Sequence, residues 1–116
     1  MSRSWHDYIR DIHDELTYIV SLFPGLTYPV FIADDTLKRA IIRSLEVIGE
    51  AVKIIPPEIK LKYPLVEWKE YAGLRDKLAH HYFGIDYEIV WDAIISDLPI
   101  LSDAIDIIIT KEKIKF

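Results

Sequence analysis

The chain has 116 residues, 51% of them apolar, with 14 basic and 19 acidic side chains and a formal charge of −5. A chain of this size predicts a single domain over residues 1–116, with one core that buries roughly two-thirds of the surface an unfolded chain exposes. The negative balance argues against a non-specific polyanion binder, and the lack of cysteine excludes disulfides, thiolate metal ligands and a thiol nucleophile.

The N-terminus, Met1-Ser-Arg-Ser-Trp-His-Asp, lacks the apolar core of a secretory signal. No apolar run approaches the ~18 residues of a membrane span, so a soluble, cytoplasmic protein is expected. Ser4-Trp-His-Asp7 has the form of a capping box, and Tyr8, Ile12, Leu16, Ile19 and Val20 follow at helical spacing. A first helix is predicted from residue 5 to about 22, stopped by Phe23-Pro-Gly25. Thr27 to Ile32 suits one short turn, and Asp34-Asp35 offers the next N-cap.

Leu37, Ile41, Leu45, Ile48, Val52 and Ile55 then form an apolar stripe, with Lys38, Arg39, Arg43, Glu46, Glu50 and Lys53 outside it. This second long helix ends at Pro56-Pro57, and Pro57 to Tyr63 suits another short turn. A third helix is predicted from about Val66 to Tyr82, with Trp68, Tyr71, Leu74 and Leu78 inward. Asp86 caps a fourth through Val90, Trp91, Ile94, Leu98, Leu101, Ile105 and Ile108, in which Pro99 marks a kink or restart. The predicted fold is all-α, an up-and-down four-helix bundle with short additional helical turns.

Chemistry concentrates in Arg75-Asp-Lys-Leu-Ala-His80-His-Tyr82. Arg75 and Tyr82, seven apart, lie within about 20° on a helix, whereas His80 lies about 140° round from Arg75. Either the helix frays near His80, or the groups act across two chains. Asp76 and His80 are an i, i+4 pair, spaced for a carboxylate to orient an imidazole. A histidine interacting with helix-end carbonyls is the competing reading, and composition alone favours it.

Glu46 and Glu50 are like charges one turn apart, and Arg43 is the nearest cation to offset them. Together the three read equally well as a solvated face or as the border of a cleft. Gly49, inside a helix, costs up to about 1 kcal/mol against alanine, which close approach of another helix or a ligand would offset. His6 and His13 share a face of the first helix without carboxylates at ligand spacing, so no metal site is predicted. Trp68, Tyr71 and Trp91 are assigned to packing rather than base stacking, and the Lys111-Glu-Lys-Ile-Lys115 tail to a frayed end.

Arg75-x4-His80-x-Tyr82 resembles the signature of HEPN domains in the form found in HepT toxins. Arg43-Ser-Leu-Glu-Val-Ile-Gly-Glu50-Ala resembles that group's second helix, and Tyr63-Pro, Gly73-Leu-Arg-Asp, Tyr82-Phe-Gly, Val90-Trp91 and Asp97-Leu-Pro99 recur in its order. The chain departs from the group at Asp76 and Ser44, where asparagine is usual. Asp76 removes a donor and adds a negative charge beside any phosphate.

The resemblance implies a toxin endoribonuclease of a type VII-like toxin-antitoxin system. Cleavage is metal-independent and needs no cofactor: a ribose 2′-oxygen attacks the adjacent phosphate of a tRNA or mRNA. Arg75 and His80 are then catalytic, Asp76 and Tyr82 support them, and a homodimer assembles a composite site. The resemblance further implies that an MntA-like nucleotidyltransferase antitoxin spends ATP to adenylylate Tyr82. No DNA or membrane partner is expected. The alternative is a non-catalytic, nucleotide- or protein-binding partner of such a nucleotidyltransferase, which the net negative charge favours.

Overall fold

A computed structural model describes residues 3–80 and 84–116, with His80 described by its backbone alone. Helix α1 (Trp5–Ser21) opens where the Asp7 carboxylate accepts the Ser4 N–H at 2.8 Å, the predicted capping box. Its buried row is Ile9, Ile12, Leu16 and Ile19. Ile9 replaces the expected Val20, which is 47% exposed because it sits one 100° step past Ile19. The short α2 (Tyr28–Ala33) is capped by the Thr27 hydroxyl, and α3 (Asp35–Ile54) by the Asp34 carboxylate.

Helix α3 packs against both α1 and α5 (Trp68–His80), with Ile41, Leu45, Ile48 and Val52 buried. Pro56-Pro57 ends it, and Pro57 begins α4 (Pro57–Lys62), where a missing N–H costs nothing in a first turn. Helix α5 (Trp68–His80) starts two residues later than Val66. The Val66 N–H and Trp68 indole N–H both donate to the Tyr63 carbonyl, at 3.3 and 3.1 Å, so residues 64–67 form a turn.

The fourth long segment comprises α6 (Tyr87–Asp92), a π-helical turn (Ala93–Asp97) and α7 (Leu98–Lys111). Asp86 caps it at the Glu88 and Ile89 N–H groups. Pro99 cannot donate to Ile95, and its ring would crowd that carbonyl in a regular helix. The chain responds with a change of register: the Leu98 N–H reaches the Ala93 carbonyl, five residues back, and α7 restarts at Leu98 with Pro99 in its first turn. The Tyr71 hydroxyl donates to the Asp97 carbonyl at 3.1 Å, tying this turn to α5. Burial, with Asp97 nearby, pushes the Tyr71 phenol up to about 12.

The C-terminal tail is docked rather than frayed. Lys113 adopts φ +54°, and the Ile114 and Lys113 N–H groups return to the Ile109 and Thr110 carbonyls, forming a Schellman cap with lysine at the left-handed position. Ile114 is buried, Arg10 donates to the Lys115 carbonyl at 2.7 Å, and the Phe116 ring meets His13 edge-on. Trp68 and Tyr71 are buried, and Trp91 packs on Tyr28 and Phe31, all as packing residues. The described residues make an all-α helical bundle without strands, and none of its helices is long and apolar enough to cross a membrane.

Candidate functional site

The site begins with the absence of a side chain. A Cβ built on Gly49 would lie 2.1 Å from the Arg75 Cβ and 2.8 Å from the Tyr71 carbonyl oxygen, so only glycine lets α3 and α5 come this close. The close approach expected of Gly49 is therefore to a helix. It seats the stem of Arg75 against α3, and the guanidinium emerges beside the next residue, with Nε 3.1 Å from Glu50 Oε2.

Asp76 follows on α5 and meets α3 one turn further along, where its Oδ1 forms an ion pair with Lys53. Arg75 Nη1 lies 3.4 Å from the same oxygen. The Lys53 ammonium holds the Asp76 carboxyl below the ordinary carboxylate range, with Arg75 a lesser cause. The acid–base order on α3, Glu50 then Lys53, is thus met by the reverse order on α5, Arg75 then Asp76.

Arg75 and Glu50 also line a cleft of about 260 Å³ with Arg3, Tyr8, Asp11, Arg43 and Glu46. Arg43 Nη1 stands 3.9 Å from Glu46 Oε2, a loose pair, and most of the Arg43 side chain is in solvent. Arg3 pairs with Asp11 at 2.8 Å and lies over the Tyr8 ring at 4.6 Å. The buried Ser44 hydroxyl donates to Glu15 at 3.4 Å. Burial raises the Glu15 pKa, against the opposing effects of Ser44 and Arg43.

Arg75 and Glu50 therefore share one cleft with Arg43 and Glu46, while Asp76 lies outside its lining, against the next turn of α3. Lys53 meets it there, although its place outside the apolar stripe reads as a solvated position. The signal was the spacing Glu46, Glu50, Lys53, an i, i+4, i+7 row on one face of α3. His80 ends α5 with helical backbone, and its side chain lies outside the described residues, as do His81, Tyr82 and Phe83. Among the described residues no cluster of His, Asp or Glu is arranged to hold a metal ion.

The family model described as Ribonuclease HepT-like matches residues 12–108. The chain belongs to the HepT-like family. A relative from Thermococcus cleftensis named "Probable ribonuclease HepT" is 40% identical over 87% of this chain and 92% of its own length. A "Putative RNase" from Caldanaerobacter subterraneus subsp. tengcongensis is 43% identical over 91% of this chain and 95% of its own. Another so named, from Methanocaldococcus jannaschii, is 49% identical over 79% of this chain and 76% of its own. No solved structure matches. The HepT-like match spans both the Arg43–Glu50 stretch and the whole of Arg75–Tyr82.

Proposed function

We propose that this HepT-like chain is an endoribonuclease that cleaves RNA without a metal ion: a ribose 2′-hydroxyl loses its proton and attacks the adjacent phosphate, the bond to the 5′-oxygen of the next nucleotide breaks, that oxygen takes up a proton, and a 2′,3′-cyclic phosphate is left. The observation that carries this reading is the placement of Arg75. Its stem is wedged over Gly49 and its Nε pairs with the Glu50 carboxylate at 3.1 Å, so a planar donor fork stands at a cleft before any phosphate arrives. The relatives' names as ribonucleases point the same way. His80 supplies a group able to exchange a proton near neutral pH.

Helix α5 runs through residue 80, so by helical arithmetic position 80 lies about 140° round the axis from position 75. That favours a composite site in a homodimer, in which Arg75 of one chain works with His80 of the other. The same reading extends to control: a partner nucleotidyltransferase adenylylates Tyr82, adding bulk and negative charge beside the phosphate site.

The experiment is cleavage of a labelled RNA by purified protein in excess chelator. Wild-type protein cleaves, and Arg75→Ala and His80→Ala each lose at least about 100-fold in kcat/KM. Cleavage by both variants at the wild-type rate would remove this site from the reaction. Mixing the two inactive variants tests the dimer, because hybrid dimers regain one intact composite site. Intact mass after co-expression with an MntA-like nucleotidyltransferase tests the modification: a gain of AMP in the wild type is absent in Tyr82→Phe.

A further inference from the structure

We propose that Lys53 is a positioning residue for Arg75: its ammonium, brought from α3 onto Asp76, cancels a carboxylate that would otherwise compete with RNA phosphate for the guanidinium. The inference rests on the ribonuclease reading of the same site.

Asp76 is the immediate neighbour of Arg75 on α5, and an uncompensated carboxylate there acts in two ways. It attracts the guanidinium to itself, and it repels any phosphate that approaches the same donors. The geometry around Oδ1 shows which cation holds it. Lys53 is in direct ion contact, whereas Arg75 Nη1 stands at 3.4 Å, near the outer limit of a hydrogen bond. Lys53 takes the carboxylate, and Arg75 also stands in ion-pair contact with Glu50, its Nε 3.1 Å from Oε2. The Glu50 contact is on the inner edge of the guanidinium, and of its outer nitrogens Nη1 makes only the long bond to Asp76, at 3.4 Å.

The arrangement follows from helix periodicity. Glu50 and Lys53 are one turn apart on α3, so the face that Gly49 brings against α5 presents an acid to Arg75 and a base to Asp76. Both Lys53 and Asp76 remain partly in solvent, with side chains 35% and 46% exposed. Their pairing therefore adds little to folding, and its effect falls on the charge that an incoming phosphate meets.

A double-mutant cycle with Lys53→Met and Asp76→Asn tests this, with thermal unfolding as a check on the fold. Lys53→Met is expected to lower kcat/KM for RNA cleavage about tenfold, mainly through KM, and Asp76→Asn in that background to restore it to within about threefold of wild type. A structural role for Lys53 predicts no such rescue. A double variant as impaired as Lys53→Met, or an unimpaired Lys53→Met, overturns the proposal.

A second readout is independent of cleavage: titration of inorganic phosphate, followed by the NMR resonance of the Arg75 Nε–H group. Weaker phosphate binding in Lys53→Met, recovered in the double variant, upholds the proposal even if no variant cleaves RNA, in which case only the ribonuclease reading falls. Phosphate binding at Arg75 that ignores residue 53, or is absent in the wild type, overturns it.

Discussion

Arg75 lies across Gly49 so closely that a Cβ on residue 49 would stand 2.1 Å from the Arg75 Cβ. The obstructing atoms are a side-chain stem and, at 2.8 Å, the Tyr71 backbone carbonyl, neither of which can swing aside. Gly49→Ala gains up to about 1 kcal/mol of helix propensity but pays an overpacking cost of about 1–3 kcal/mol. Chemical denaturation should show net destabilisation, and RNA cleavage should fall further than stability explains, because Arg75 is displaced. An alanine variant more stable than wild type would contradict the contact.

Arg75→Lys should not preserve activity. Lysine carries the charge but lacks both the Nε–H that meets Glu50 and the planar fork that a phosphate accepts. A loss of at least about 100-fold in kcat/KM is expected, against a few-fold for Glu50→Gln, which keeps an oxygen acceptor. Steady-state kinetics on one RNA substrate compares the two, and a lysine variant close to wild type would mean that charge alone suffices.

Glu15→Gln should stabilise the protein at neutral pH. Glu15 has a raised pKa, caused first by burial, so the folded state holds its proton more tightly than the unfolded chain does. Its contribution is therefore favourable below the ordinary value of 4.5 and is lost as pH rises through the raised folded value. The glutamine variant, which retains an acceptor for Ser44, should melt higher than wild type at about pH 7, with the difference closing toward about pH 4. An unchanged gap across that range would argue against a strained carboxylate.

Lys113→Gly should also stabilise, by roughly 0.5–1 kcal/mol, since Lys113 holds φ +54° in a cap position where a side chain is disfavoured. The gain should appear in the denaturation midpoint without altering cleavage. Loss of stability would mean that the lysine side chain contributes more than its backbone strain costs.

Much of this molecule can be read from local rules. The caps at Ser4, Asp34 and Asp86 and the breaks at Pro56-Pro57 each depend on residues within one or two turns, which is why the helix order is predictable. Gly49 announced a close approach for the same reason, since a glycine inside a helix demands a cause. What it approaches depends on how α3 and α5 register. That register alone reveals Lys53 as a partner of Asp76, because each reads separately as an ordinary charged surface residue. The tail misled for a related reason: Lys111–Lys115 looks polar and terminal, but its backbone is captured by Arg10 and by the Schellman cap. At Pro99 a restart was legible, and α7 does begin at Leu98, but the π turn before it was not, because several backbone adjustments relieve the same clash.

The hydrogen bond from Arg10 to the Lys115 carbonyl joins positions 105 apart, whereas the Gly49–Arg75 contact and its flanking ion pairs all fall between residues 49 and 76. On the ribosome, the scaffold that orients Arg75 therefore emerges complete while the last helix is still being made. Closure of α7 on α1 is the non-local, late event, and it is the step expected to limit folding. The residues that position the guanidinium thus precede, in order of synthesis, the α7 residues that complete the shared core.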